Sequence, residues 1–177
     1  MSAMRLIVIS DTNIFIDLIS IELYECFLSL GYKIYTNIFV VNELEDPEQR
    51  AIVESTDGLY IEQFEEEGFV EEIFQFFEKR TRRGLSFTDC AVLYQGIRHK
   101  AVVLTGDKKM IKMAKEKDID VHGILFILDE MVRRGLLPPA EAVIKIRHLF
   151  ELNPRLPYDE IELRIRNWSE LASRSFL

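Results

Sequence analysis

The stretch Leu6 to Leu18, LIVISDTNIFIDL, constrains this chain most, because an apolar run suited to a buried strand passes through Asp11, Thr12 and Asn13 directly into an apolar helical pattern. A short apolar run closed by turn residues, with helix spacing resuming at Ile14, predicts strand, turn and helix, the opening of a parallel α/β sheet. In open sheets of that kind ligands bind outside the carboxyl ends of the strands, and Asp11 stands at such an end. A plainer explanation is that Asp11 caps the helix, accepting backbone N–H groups that otherwise lack partners.

The alternation continues. Further strands are predicted over Lys33 to Thr36, Leu59 to Phe64, Ala101 to Thr105 and Ile119 to His122. Helices are predicted over Ile14 to Leu30, Ile38 to Glu45, Pro47 to Ser55, Phe69 to Arg83, Ser86 to Lys100 and Lys108 to Lys117. Strands separated by helices imply an α/β fold with a parallel sheet flanked by helices. From Ile124 the pattern is helical only, over Ile124 to Arg134, Pro139 to Leu152 and Asp159 to about Ser173. The expected organisation is an α/β domain over 1–123 and a helical extension over 124–177. The last helix carries an apolar stripe at Ile161, Ile165, Trp168 and Leu171, which either packs on the chain's own sheet or meets a partner or second subunit.

Asp107 follows the strand AVVLT as Asp11 follows LIVIS, placing a second carboxylate at the same sheet edge. Asp89 lies in the first turn of a helix that runs down to that strand and so begins at its carboxyl edge. Glu43 sits on the short helix leaving the second strand. Two carboxylates about 6 Å apart repel by about 3 kcal/mol at an effective dielectric of 20, so such a set needs a cation, a nearby Lys or Arg, or a shared proton. Oxygen ligands with few histidines favour magnesium or manganese over zinc, and His99, His122 and His148 are scattered. Each acid also has a local explanation. Ser86 and Asp89 have capping-box spacing, Asp107 suits a turn before a helix, and Glu43 is followed by Glu45, Asp46 and Glu48 as in a solvated acidic face. Asp17 reads as a surface charge or a partner for a basic side chain.

The acids resemble those of PIN domain nucleases, which occur as D-T-N, an E on the helix after the second strand, [ST]-x-[ST]-D, and T-x-D. Here they read DTN at Asp11, NEL at Glu43, SFTD at Asp89 and TGD at Asp107, in matching order from Leu6 to about His122. The resemblance implies a three-layer α/β/α fold with a five-stranded parallel sheet ordered 3-2-1-4-5. It also implies metal-dependent endoribonuclease activity, with Asp11, Asp89 and Asp107 holding one or two Mg2+ or Mn2+ ions and Glu43 completing the site or orienting water. Ser86 and Thr88 match the family's hydroxyl positions, Thr105 is the threonine of T-x-D, and Asn13 or Thr12 would hold the Asp11 carboxylate or a water on the metal. Where many members carry a further acid after T-x-D, this chain has Lys108, Lys109 and Lys112. The tail HGILFILDEMVRRGLLP looks like that of a prokaryotic subgroup related to toxins of toxin–antitoxin pairs, which implies an antitoxin partner.

A formal net charge of −8 excludes a generic nucleic-acid coat, so RNA contact must be local. Lys79, Arg80, Arg82, Arg83, Lys108 and Lys109 would provide it. Their plainer explanation is that they are helix-end charges complementing the dipole. Two distant cysteines suit a reducing cytoplasm, the N-terminus does not read as a signal peptide, and no stretch suits a membrane span. The competing function is a PIN-fold RNA- or protein-binding regulatory module. A D-x-D phosphatase reading fits less well, because DTN lacks the second aspartate.

Overall fold

A computed structural model describes residues 6–78 and 84–174. Five parallel strands, β1 (Ile7–Ser10), β2 (Lys33–Asn37), β3 (Leu59–Glu62), β4 (Val102–Leu104) and β5 (Val121–His122), form one sheet in the order β3-β2-β1-β4-β5. Every crossover carries helices, as parallel pairing requires. They are α1 (Thr12–Ser20) and α2 (Tyr24–Leu28), α3 (Ile38–Glu43) and α4 (Pro47–Glu54), α5 (Phe69–Glu78) and α6 (Phe87–His99), then α7 (Lys108–Glu116). Strand β1 takes the centre: it pairs with β2 on one side and β4 on the other, and Val8 and Ile9 are wholly buried. Ser10 is level with Leu104, so the chain leaves β1 and β4 at the same height.

The chain packs as two compact units. One takes in the chain up to Ile16 together with Gly31–Gly123; the other joins Asp17–Leu30 to the chain from Ile124 onward. The first contains the sheet and α3 to α7, with Val8, Ile9, Val40, Leu93, Val103 and Met110 fully buried. Helix α6 lies close against β4 because residue 96 is glycine: a Cβ there would stand 2.6 Å from Val103 Cγ2.

The second unit holds α2, α8 (Ile124–Arg133), α9 (Pro139–Leu152) and α10 (Tyr158–Arg174). Helix α2 packs on α8, and α10 packs on α9. Three residues of the apolar stripe, Ile161, Ile165 and Trp168, are buried, while Leu171 is exposed. The stripe therefore serves mainly to cover the helical unit's own core. Arg164 of α10 bonds both Asp129 and Glu160.

The helix predicted over Ile14 to Leu30 is two helices. Glu22 adopts φ 58°, its N–H donating to the Ile19 carbonyl while the Leu23 N–H reaches back to Leu18. That pair of bonds closes a helix end through a left-handed residue, a position usually held by glycine, so apolar spacing alone ran through it. Lys145 holds the Glu22 carboxylate at 2.9 Å. Asp17, expected at the surface or beside a cation, is instead half-buried and accepts bonds from the Asn153 amide, and burial raises its carboxyl to about 6. Among the described residues no helix is long and apolar enough to cross a membrane.

Candidate active site

Asp11 continues β1 by one residue: its N–H donates to the Leu104 carbonyl at 3.0 Å, which brings the carboxylate up beside β4. There Oδ2 accepts the Thr105 hydroxyl at 2.8 Å and Oδ1 accepts the Thr12 N–H at 2.8 Å. A helix cap would accept from the second or third N–H of α1, so capping does not account for this carboxylate. Thr105 also receives the Asp107 N–H on its hydroxyl oxygen at 3.1 Å, while its one proton goes to the Asp11 carboxylate rather than to the weak acceptor Met110 Sδ at 3.4 Å. One side chain thus ties together the chain ends leaving β1 and β4.

Glu43 closes α3. That helix starts on Asn37, whose side chain accepts the Val40 N–H, and its last carbonyls are met by Arg50 from α4, at Asn42 and Leu44. The exposed Glu43 carboxylate accepts the Thr12 hydroxyl at 2.9 Å, so Thr12 serves two acids, one by its N–H and one by its side chain. Asp89 completes a capping box with Ser86: the Ser86 N–H donates to Asp89 Oδ2 at 2.7 Å and the Asp89 N–H to Ser86 Oγ at 3.1 Å. Asp107 caps α7, its Oδ1 accepting the N–H groups of Lys109 and Met110. The local explanations of Asp89 and Asp107 therefore hold for one oxygen each. No hydrogen bond among the described residues reaches Asp89 Oδ1, Asp107 Oδ2 or Glu43 Oε1.

Asp11, Glu43, Asp89 and Asp107 line one cleft of about 540 Å³, together with Thr12, Asn13, Ile16, Glu45, Asp46 and Gln49. The cluster is charged at some cost. Burial lifts the Asp11 carboxyl from 3.8 to about 6 against the pull of Thr105 and Thr12, with the charges of Asp89 and Glu43 adding to the rise. Burial also raises Asp89, the Ser86 N–H and hydroxyl opposing, and Asp107 and Glu43 push it further. None of the four pairs with a Lys, Arg or His among the described residues.

An all-carboxylate donor set suits a hard divalent cation. The side chains as they stand do not close on one point: among the described residues no three acidic, His or Cys groups are gathered tightly enough to hold an ion. Four negative groups lining one cleft repel one another, and none of them has a cationic partner among the described residues to offset that.

Of the other expected site residues, Asn13 lines the cleft, Ser86 and Thr105 bond acids directly, and Thr88 is buried outside the lining. Lys108 and Lys109 are exposed in the first turn of α7, Lys109 Nζ reaching the Gly84 carbonyl at 3.3 Å. The dipole explanation fails for these two, because the amino end of a helix disfavours cations. Lys79, Arg80, Arg82 and Arg83 lie outside the described residues. Glu45 and Asp46 were legible only as members of an acidic run; Asp46 caps α4 through Glu48 and Gln49, which fixes that run at the cleft rim. A family model described as a PIN domain, DUF3368, matches residues 7–170 of the 177. No curated protein matches the chain.

Proposed function

The chain belongs to the PIN domain family, a nuclease-type fold, and from that premise we propose that it is a metal-dependent endoribonuclease that hydrolyses phosphodiester bonds of single-stranded RNA. The observation that supports this reading is the cleft lined together by Asp11, Glu43, Asp89 and Asp107, none of which has a cationic partner among the described residues, with Asp11 raised to about 6. Asp11, Asp89 and Asp107 would hold magnesium or manganese, which when bound activates water and neutralises charge developing on the phosphate. Thr105 keeps Asp11 aimed across the cleft, the Ser86 box presents the unbonded oxygen of Asp89, and Thr12 holds Glu43 by one oxygen so that the other is available to orient water. Asn13, on the same lining, would hold the Asp11 carboxylate or a water on the metal. Lys108 and Lys109, with Arg82 and Arg83, would grip the RNA backbone, which positions substrate without reading its sequence.

In this proposal the catalytic part is 1–123 and the helices of 124–177 form an extension. The family resemblance of that extension supports a cytoplasmic toxin with an antitoxin partner. The test is cleavage of a single-stranded RNA panel with and without magnesium, by the wild type and by Asp11→Asn. Magnesium-dependent cuts that vanish in the variant support the reading. The spacing of the acids favours one alternative, a catalytically weak PIN-fold module that binds RNA or protein. No cleavage at millimolar magnesium by a chain that still binds RNA would establish that alternative instead.

A further inference from the structure

Behind the cleft, Asn37 and Gln95 are both wholly buried, and every polar atom of the pair is used. Asn37 Oδ1 accepts the Val40 N–H at 3.0 Å, capping α3, while its Nδ2 donates to Gln95 Oε1 at 2.7 Å. Gln95 Nε2 donates to the Thr36 carbonyl at 2.9 Å and to Glu62 Oε2 at 3.0 Å. Thr36 in turn donates its hydroxyl to the Ser10 carbonyl at 3.0 Å, one residue before Asp11. Asn37 thus starts the helix that ends in Glu43, Gln95 lies on the helix whose first turn carries Asp89, and Thr36 ties both to the strand that leads into Asp11. Buried polar groups add little net stability over well-packed apolar ones, but a complete network fixes one arrangement and penalises others.

We propose that Asn37 and Gln95 are positioning residues that lock α3 against α6 and thereby set where Glu43 and Asp89 stand relative to Asp11. The catalytic meaning of the lock rests on the nuclease reading above. Gln95→Met keeps the volume but leaves the Asn37 amide without its acceptor and the Thr36 carbonyl without its donor. Asn37→Ser keeps a cap for α3 but is too short to reach Gln95.

Three measurements test the proposal: amide hydrogen exchange along α3, manganese affinity by electron paramagnetic resonance, and separate kcat and KM for RNA. In Gln95→Met and Asn37→Ser, exchange at Val40 to Glu43 should quicken by about tenfold, manganese should bind about tenfold more weakly, and kcat should fall about tenfold with KM unchanged, the effect of one lost buried hydrogen bond. Ile146→Val, in the helical unit, serves as a control that lowers stability and should change none of them. Unchanged α3 exchange in Gln95→Met overturns the lock itself. Faster exchange with wild-type manganese affinity and kcat overturns its positioning role. A wild type that neither binds manganese nor cleaves RNA sinks the nuclease reading and the positioning role with it, and exchange alone then decides whether the pair holds α3.

Discussion

Asp11 shows at single-residue scale why a carboxylate in this cleft is costly and what that cost predicts. Its carboxyl rises from an ordinary 3.8 to about 6, so the native state binds a proton more tightly than the unfolded chain does. Folding is therefore favoured by that proton below about pH 4, loses the benefit as pH rises, and above about pH 6 carries the full penalty, about 3 kcal/mol without metal. Asp11→Asn should flatten this part of the stability–pH curve, leave melting at pH 7.5 equal or higher, and lower cleavage at least about 100-fold, because the neutral isostere keeps the Thr105 contact but not the charge. A melting temperature well below wild type at pH 7.5 would show the carboxylate to be structural. Asp17, raised by burial to about 6, adds a second contribution of the same sign, and Asp17→Asn should remove it without touching cleavage. Asp11 was legible because its motif is local, a strand running into DTN. Asp17 was not, since its partner Asn153 lies 136 residues away and nothing near Asp17 marks its burial.

At the scale of elements the sequence is clearest where a helix begins and least clear where one ends. Ser86, Asp46, Asn37 and Asp107 all cap helices with side chains whose types announce the role. Two of these caps belong to the cleft acids, which is why capping and catalysis competed as explanations of the same residues. The two roles separate by substitution. Ser86→Ala removes the hydroxyl that accepts the Asp89 N–H but leaves the backbone N–H that holds Asp89 Oδ2, so it should cost about 1 kcal/mol of stability while cleavage stays within a few-fold of wild type. Asp89→Asn keeps an oxygen for that N–H and should abolish cleavage with little change in melting. Wild-type cleavage by Asp89→Asn would mean that Asp89 only caps α6. Helix ends are harder to read because Glu22, Lys100 and Asp118 turn left-handed at φ 50–58°, where glycine would have signalled the stop. In each case the following N–H reaches back five residues, to Leu18, Gly96 and Ala114, and those bonds offset a strain that composition does not reveal.

For the whole molecule, charge sets the problem, since a chain of net charge −8 repels RNA and also gathers its acids where RNA would be cut. Divalent metal should answer part of it: magnesium at a hundredfold excess over its dissociation constant should add about 2.7 kcal/mol to native stability, visible as a melting temperature that climbs with metal and climbs less in Asp107→Asn. The rest falls to α7. Lys108, Lys109, Lys112 and Lys115 are exposed along that helix and, among the described residues, none pairs with an acid. The helix is capped by Asp107, which lines the cleft, so Lys108 and Lys109 follow the acidic site directly in sequence, with Lys112 and Lys115 further along the same helix. Lys108 and Lys109 stand against the helix dipole, a placement that helix stability disfavours, so replacing them with alanine should not lower the melting temperature. If they bind phosphates, each releases counterions from single-stranded RNA and contributes about 0.7 to the slope of log affinity against log salt. The triple variant Lys108→Ala, Lys109→Ala, Lys112→Ala should therefore flatten that slope by about 2, raise KM at moderate salt, and leave kcat at saturating RNA near wild type. An unchanged slope would remove α7 from the RNA path and leave the segment from Lys79 to Arg83 as the remaining basic candidate in the sequence.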